Sequence, residues 1–192
     1  MRWKRFWLML APSLAALAVL AAGMAQGAVP ASFAVSGRQM KVSATTLSGR
    51  GVGIVPGVVR SIDGRPHVVL HLSLRTARVY GLCQSAEVDT PLGPFTVRLG
   101  ARDREKPSQV GRLGISATSL NADVDLGSVV LNRDAGMLGG GNVPEGERGD
   151  YGVEVLTFSA RNVAADAWMV MGGSFLVDGL SVEIGRDVRP CF

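Results

Sequence analysis

Apolar and polar residues alternate with a period of two along most of the chain beyond residue 31. In HVVLHLSL, one face carries Val68, Leu70, Leu72 and Leu74, and the other carries His67, Val69, His71 and Ser73. FTVRLGA and LNADVDL repeat the alternation, and GVEVLTFSA, AWMVMGG and SFLVDGLSVEI follow it later. Successive side chains of a β-strand point to opposite faces of its sheet, so the pattern predicts strands.

Clusters of turn-forming residues separate these runs, such as PG at Pro56, DGRP at Asp63 and TPLGP at Thr90. The pattern predicts roughly ten to twelve short strands. We therefore expect an all-β fold, either an antiparallel β-sandwich or a β-solenoid-like domain, with one face of each strand in solvent. Residues 132–150 are rich in glycine and predict a mobile surface loop between two halves of the sheet.

The first thirty residues have a different pattern. They contain Arg2, Lys4 and Arg5 but no acidic residue, and an apolar run of 17 residues covers positions 6–22. This length lies between that of a signal-peptide core and that of a short membrane span. We predict one N-terminal apolar helix within residues 1–30, which is either a cleaved signal peptide or a membrane anchor at residues 6–25. The positive-inside rule then places residues 31–192 outside the cytoplasmic membrane, as a single exported β domain that is extracellular or held in the cell envelope.

Composition and charge narrow the classes of function. Hydrophobic residues make up 47% of the 192 residues, enough for one domain with a packed core. The formal net charge is +4, but beyond the N-terminal segment 17 basic residues face 16 acidic ones. A nearly neutral domain lacks the basic surface that nucleic acid requires, so nucleic-acid binding is excluded.

The chain contains two cysteines, Cys83 and Cys191. In an exported protein such a pair predicts a disulfide, because free thiols are oxidised outside the cell. The bond would close a loop of just over a hundred residues, for which the chain-entropy model gives about 4–5 kcal/mol. It would also hold a C-terminal strand that could otherwise fray.

His67 and His71 are the two histidines of the chain, and any mechanism that needs imidazole has to use them. A serine hydrolase would place one of them within hydrogen-bond reach of a serine in a cleft, with a carboxylate behind the imidazole. The G-x-S-x-G elbow is absent from the sequence. The alternation places both histidines on a solvated strand face, which favours ordinary surface residues.

Asp123 and Asp125 follow Asn121 at the spacing with which calcium-binding loops begin. Leu126 occupies the position at which such a loop needs glycine, and Asn132 the position at which it needs glutamate. The alternation therefore favours Asn121, Asp123 and Asp125 as the solvated side of a strand. We assign no catalytic residue, no metal ligand and no cofactor from the sequence. His67, His71, Asp123 and Asp125 remain weak candidates.

Several short segments of the chain resemble one family. They are RWKRF before the apolar segment, ASFAVSG at residues 31–37, KVSA at 41–44, LSG at 47–49, LCQS at 82–85 and the terminal CF. In these marks the chain resembles a family of exported actinobacterial, Streptomyces-type proteins of uncharacterised function, which often carry the automatic label cholesterol esterase. The resemblance implies an actinobacterial envelope and supports the pairing of the cysteines, and it brings no catalytic motif.

These observations favour a non-enzymatic exported protein of the cell envelope. It would act by binding lipid or another envelope component, or by structural self-association, with the membrane contacted through its N-terminal segment. A lipid-ester hydrolase of the cholesterol-esterase kind is an alternative, and a spore-coat or surface-layer component is another.

Overall fold

The computed structural model describes residues 38–91, 93–138 and 146–192. The predicted N-terminal apolar helix lies outside them. Within the described ranges, no helix is long and apolar enough to cross a membrane. The all-β prediction is confirmed, because the described elements are strands apart from one 3-10 turn at Ala135–Met137. The strands are β1 (Met40–Arg60), β2 (Pro66–Tyr80), β3 (Cys83–Thr90), β4 (Gly93–Ala101), β5 (Ser108–Asp134), β6 (Tyr151–Met171), β7 (Ser174–Leu176) and β8 (Leu180–Gly185).

The expectation of ten to twelve short strands was wrong, because three strands are long. Strand β5 has 27 residues, and β1 and β6 have 21 each. Gly51, Ser128 and Asn162 have positive φ inside these strands, and the β5–β6 register shifts at several positions. Such bulges bend a strand and reset its alternation without ending it. In the sequence the same resets look like separate strands.

Four of the strands form a small closed barrel. Strand β2 pairs with β1 on one side and with β5 on the other, and β6 pairs with both β5 and β1. Leu74 of β2, for example, lies opposite Val52 of β1 and Leu113 of β5. The sandwich and solenoid expectations were therefore wrong in their finer form, because β2 closes the sheet upon itself.

The barrel interior is filled by side chains from all four strands. A barrel of eight strands is only just wide enough to hold one small ligand, so four strands leave room for side chains alone. Burial of each large aliphatic or aromatic side chain contributes about 1.5–3 kcal/mol. The larger core side chains are Leu47, Val52, Leu72, Leu74, Val79, Val110, Leu113, Ile115, Val155, Phe158 and Val163.

The predicted surface loop at residues 132–150 was wrong for its first part. Residues 132–134 continue β5, and the 3-10 turn follows. The Asp134 carboxylate accepts hydrogen bonds from the backbone N–H groups of Gly136 and Gly149, at 2.9 and 3.1 Å. Ala135 is buried in a small cluster with Val55 and Leu138, so this segment packs against β1.

Three strands extend the sheet beyond the barrel. The start of β1 pairs with β3 through Lys41–Ser43, β3 pairs with β4, and β4 pairs with β8. We call β3, β4 and β8 the extension. Strand β7 pairs separately with β5.

Candidate functional site

One face of the extension is almost entirely apolar. The register aligns Val42 of β1 with Gln84 of β3, Leu99 of β4 and Val182 of β8, so these side chains share a face. Val42 belongs to the barrel core, and the same face therefore continues outward from the barrel interior. We call its apolar part the extension face; it consists of Ala86, Val88, Phe95, Val97, Leu99, Ala101, Leu180, Val182 and Ile184.

The extension face is open to solvent among the described residues. Leu180, Val182 and Ile184 on β8 are 53%, 59% and 68% exposed. Val88 on β3 is also exposed, and the side chains of β4 on this face are half-buried. At one margin, the Arg186 guanidinium lies over the Phe95 ring at 5.3 Å from its centre. A contiguous apolar patch of this kind on a folded domain is typical of a contact surface.

The opposite face of the extension is polar, and the C-terminal tail covers part of it. Cys83, Ser85 and Thr96 on this face are buried. Cys83 is disulfide-bonded to Cys191 with a Cα–Cα distance of 5.8 Å, as the sequence predicted. The Cys191 N–H donates to the Ser85 hydroxyl at 3.0 Å, and Lys41 donates to the Phe192 carbonyl oxygen at 2.9 Å. The extension thus buries the hydroxyls of Ser85 and Thr96 although it exposes apolar side chains on its other face; Glu87, Asp89 and Glu183 on the polar face are exposed.

A cavity of about 250 Å³ lies beside the tail on this polar face. It is lined by Arg38, Gln39, Lys41, Ser85, Ala86, Glu87, Thr96, Asp166 and Pro190. Arg38 also forms an ion pair with Asp89 at the end of β3. Since cations and carboxylates both line the cavity, its charge selects neither an anion nor a cation.

His67 does lie beside a serine, in the hairpin between β1 and β2. Its Nε2 is 3.0 Å from the Ser61 hydroxyl, and its ring stacks on Trp168 with 3.8 Å between ring centres. Ser61 itself is buried, and its hydroxyl also donates to the Asp63 carboxylate. That hydrogen bond is the main cause that lowers the pKa of Asp63.

This arrangement differs from a hydrolase triad in the direction of its hydrogen bonds. A hydroxyl has one hydrogen, and Ser61 donates it to Asp63, so the hydroxyl can only accept from His67, in the tautomer that carries a proton on Nε2. In a triad the imidazole accepts from the serine, and the carboxylate lies behind the imidazole. The backbone N–H of Ser61 is bonded to the Arg65 carbonyl oxygen, and that of Gly64 to the Ser61 carbonyl oxygen. These hydrogen bonds close the hairpin between β1 and β2.

His71 is only 4% exposed, so its interpretation as a surface residue was wrong. Its Nδ1 lies 2.8 Å from the Ser116 hydroxyl, which is also buried. A Cβ at Gly57 would clash with the imidazole. Burial lowers the pKa of His71, because the charged imidazolium is poorly solvated there. The opposite face of the same strand carries Val68 and Leu70, which are exposed.

Asp123 and Asp125 are exposed on β5, where the strand pairs with β6 on one side. Asp123 accepts a hydrogen bond from the Asn162 side chain at 2.8 Å. In the described part of the chain, no group of three or more His, Cys, Asp or Glu side chains is placed to hold a metal ion. The structure therefore does not bring His67, His71, Asp123 and Asp125 into one site.

The extension face was not singled out from the sequence. Phe95, Val97 and Leu99 alternate as core residues do, and alternation alone does not show which face is covered. The sequence does contain one indication that the apolar side chains of these strands are open. Small polar residues, Ser85, Thr96 and Ser181, occupy the alternate positions on the other face.

Comparison with known proteins places the chain in a family without assigning an activity. No curated protein and no solved structure matches the chain. Residues 36–192, which include every strand described above, match the family of unknown function DUF6230. The match covers most of the chain, and the protein therefore belongs to the DUF6230 family.

Proposed function

We propose that the protein is a non-enzymatic, exported component of the cell envelope that contacts membrane lipid through the extension face. The observation that carries this proposal is the reversed distribution of side chains in the extension. Ser85 and Thr96 are buried, whereas Val182 and Ile184 are exposed. A stable domain that keeps an apolar face open has a partner for that face.

The extension face supplies a useful binding energy. Each β8 side chain on it is more than half exposed. Covering the exposed part of these three side chains would contribute about 3–5 kcal/mol in total, at the usual value for burial of a whole aliphatic side chain. The barrel interior is filled by its own side chains, so acyl chains would lie against the extension and not inside the barrel.

The short stretch of sequence between the predicted anchor and the extension supports lipid as the partner. The described chain begins at Arg38, which forms its ion pair with Asp89 of β3 and so lies at the extension. One of the two alternatives from the sequence is a membrane anchor at residues 6–25, which twelve residues separate from Arg38. Twelve residues span at most about 43 Å. An anchored chain would hold the extension near the membrane surface.

The disulfide supports the exported location. Cys83 and Cys191 are paired, and such bonds persist in oxidising compartments. Together with the basic and apolar N-terminal segment, the bond favours the cell envelope or the exterior over the cytoplasm.

Lipid contact can be measured with an environment-sensitive fluorophore at Ile184. The full chain, carrying Ile184→Cys labelled with bimane, is reconstituted in vesicles of phosphatidylcholine and phosphatidylglycerol with brominated acyl chains. We expect several-fold stronger quenching than for the same label at Ile62, which is 77% exposed in the hairpin beyond the other end of β1. Equal quenching at both positions would refute the proposal.

Ester hydrolysis at Ser61 is the second candidate function, because Nε2 of His67 lies 3.0 Å from the Ser61 hydroxyl. The test is the release of p-nitrophenol from short-chain and long-chain p-nitrophenyl esters. Since the hydrogen bonds run against catalysis, we expect equal background rates for the unmodified chain, Ser61→Ala and His67→Gln. An activity that both substitutions abolish would establish the hydrolase.

A further inference from the structure

Strand β8 is an edge strand whose outer side is unpaired among the described residues. It pairs with β4 through Leu180–Gly185, and the described sheet ends there. Such an edge offers a row of backbone donors and acceptors to another strand. Its side chains alternate between the extension face and the polar face, where Ser181 and Glu183 lie.

The sequence of β8 is nearly self-complementary when read antiparallel to itself. With Val182 opposite Val182 of a second copy, Leu180 lies opposite Ile184, and Ser181 lies opposite Glu183. Every apolar side chain then meets an apolar one, and each Glu183 carboxylate faces a hydroxyl. Glu183 also retains its ion pair with Arg98 of β4, in which Nη1 of Arg98 lies 3.7 Å from Oε2 of Glu183.

The neighbouring registers are less favourable. Centring the pair on Glu183 sets two carboxylates directly opposite each other, which is destabilising. Centring the pair on Ser181 sets Glu183 opposite Gly179. Gly179 has a φ of +69° and lies in the turn before β8, so this register extends beyond the strand. The Val182-centred register therefore uses the whole run Leu180–Ile184 without a like-charge contact.

We propose that two copies of this chain associate by antiparallel pairing of their β8 strands, centred on Val182. A twofold axis perpendicular to the sheet relates the copies, which is the commonest symmetry of soluble oligomers. Because this axis preserves the two faces, the extension faces of both copies form one continuous apolar surface across six strands. The pairing uses the backbone edge, and it leaves the extension face itself open.

The other long edge of the molecule is less suited to pairing. The second half of β5 pairs with β6 on one side, and its apolar residues include Val124, which is 53% exposed. Asp123 and Asp125 flank Val124 on the strand. Bulges interrupt the register here, and Ser128 and Asn132 have positive φ. Edge charges and bulges are the features by which natural sheets discourage association.

Cysteine cross-linking of the full chain tests the register. Residues directly opposite each other in an antiparallel pair have Cα atoms about 4.5–5.5 Å apart, which suits a disulfide. We expect Val182→Cys to form a disulfide-linked dimer as the main species on non-reducing gels, and Val124→Cys, of similar exposure, to form only traces. Equal cross-linking of the two variants would overturn the proposal.

A charge exchange tests the interface without cysteines. Val182→Lys and Val182→Glu each place like charges opposite one another, so native mass spectrometry of either full chain should show loss of the dimer. Mixing the two chains should restore a mixed dimer, whereas Val124→Lys should leave the dimer unchanged. The mass deficit of the Cys83–Cys191 bond serves as the folding control. A monomeric unmodified chain, or a dimer indifferent to both Val182 changes, would overturn the proposal.

The dimer and the lipid contact fail separately. Ser181→Glu places a carboxylate opposite Glu183 of the second copy on the polar face, so it removes the pairing without changing the extension face. The bimane at Ile184 then still reports lipid contact in a monomer. If a dimer forms in detergent but brominated lipid does not quench the Ile184 label, the β8 pairing is supported and the proposed lipid contact is refuted.

Discussion

At the scale of single residues, the most informative group is the buried imidazole of His71. It contacts the Ser116 hydroxyl at 2.8 Å and lies against the backbone of Gly57. A buried neutral histidine costs little as long as its nitrogen atoms have partners, whereas a buried imidazolium is costly. His71 therefore stabilises the fold in its neutral form and makes stability depend on pH.

The direction of that dependence follows from the pKa of His71, which burial lowers in the folded state. In the unfolded chain it titrates near 6.5. Below about pH 6.5 the unfolded state binds a proton that the folded state resists, so the free energy of unfolding falls as the pH falls. The contribution of His71 to the free energy of unfolding is complete above that pH. Below it, the contribution decreases by at most about 1.4 kcal/mol for each pH unit.

We expect urea unfolding to show this loss between pH 7.5 and pH 5.5, and His71→Asn to reduce the slope. Asparagine places a nitrogen near the position of Nδ1, so the contact with Ser116 can persist. His67→Gln, which preserves the Nε2 position, is the matched control for the second histidine. A slope that His71→Asn leaves unchanged would contradict the assignment.

At the scale of elements, the C-terminal tail determines which face of the extension is covered. The disulfide and the bond from the Cys191 N–H to Ser85 hold the tail, and Lys41 both donates to the Phe192 backbone oxygen and lies over the Phe192 ring. Without the tail, the buried hydroxyl of Ser85 would face solvent, as would the polar side of β3. The disulfide therefore closes a long loop and also completes the polar face.

We expect Cys83→Ser/Cys191→Ser to lower the free energy of unfolding by about 2–5 kcal/mol, since the unfolded chain gains the freedom of a long loop. Hydrogen exchange should become faster at residues 186–192 and in β3, but should change little in the barrel. Ser85→Ala, which removes one hydrogen bond to the tail, should cost about 1 kcal/mol. Unchanged exchange in the tail of the double variant would show that the remaining contacts suffice.

At the scale of the whole molecule, the barrel depends on strands that are far apart in the chain. Strand β1 pairs with β6 across more than a hundred residues, as in the pair Val52 and Val155. Both side chains are almost fully buried. Leu74 lies between β1 and β5 at the point where β2 closes the sheet, so its side chain joins both halves of the core.

We expect Leu74→Ala to cost about 2–5 kcal/mol, because it leaves a cavity in a packed interior. Leu74 is 2% exposed, and Leu131, which is 67% exposed on β5, offers the same substitution outside the core. Leu131→Ala should change the free energy of unfolding by less than about 0.5 kcal/mol. Thermal or urea unfolding of both variants provides the comparison. Equal costs for the two substitutions would mean that the barrel interior is not the main core.

The sequence by itself determined the β class and the disulfide. Period-two alternation is a local property of the chain, and a chain with two cysteines has one possible pairing within the chain. The bulges at Gly51, Ser128 and Asn162 obscured the strand lengths, because a reset of the alternation looks like the end of a strand.

Only the tertiary structure decided which face of each strand is covered. Val68 and Leu70 alternate as core residues do, yet they are exposed, because at this end of β2 the opposite face is the covered one, where Val69 packs with Val59 and Trp168. By its position in the alternation His71 is expected on the surface, but it is buried beside Ser116. In the extension, the tail covers part of the polar face, around Ser85, whereas Val182 and Ile184 on the other face are open. Alternation distinguishes two faces, but burial depends on segments that reach the strand from far along the chain.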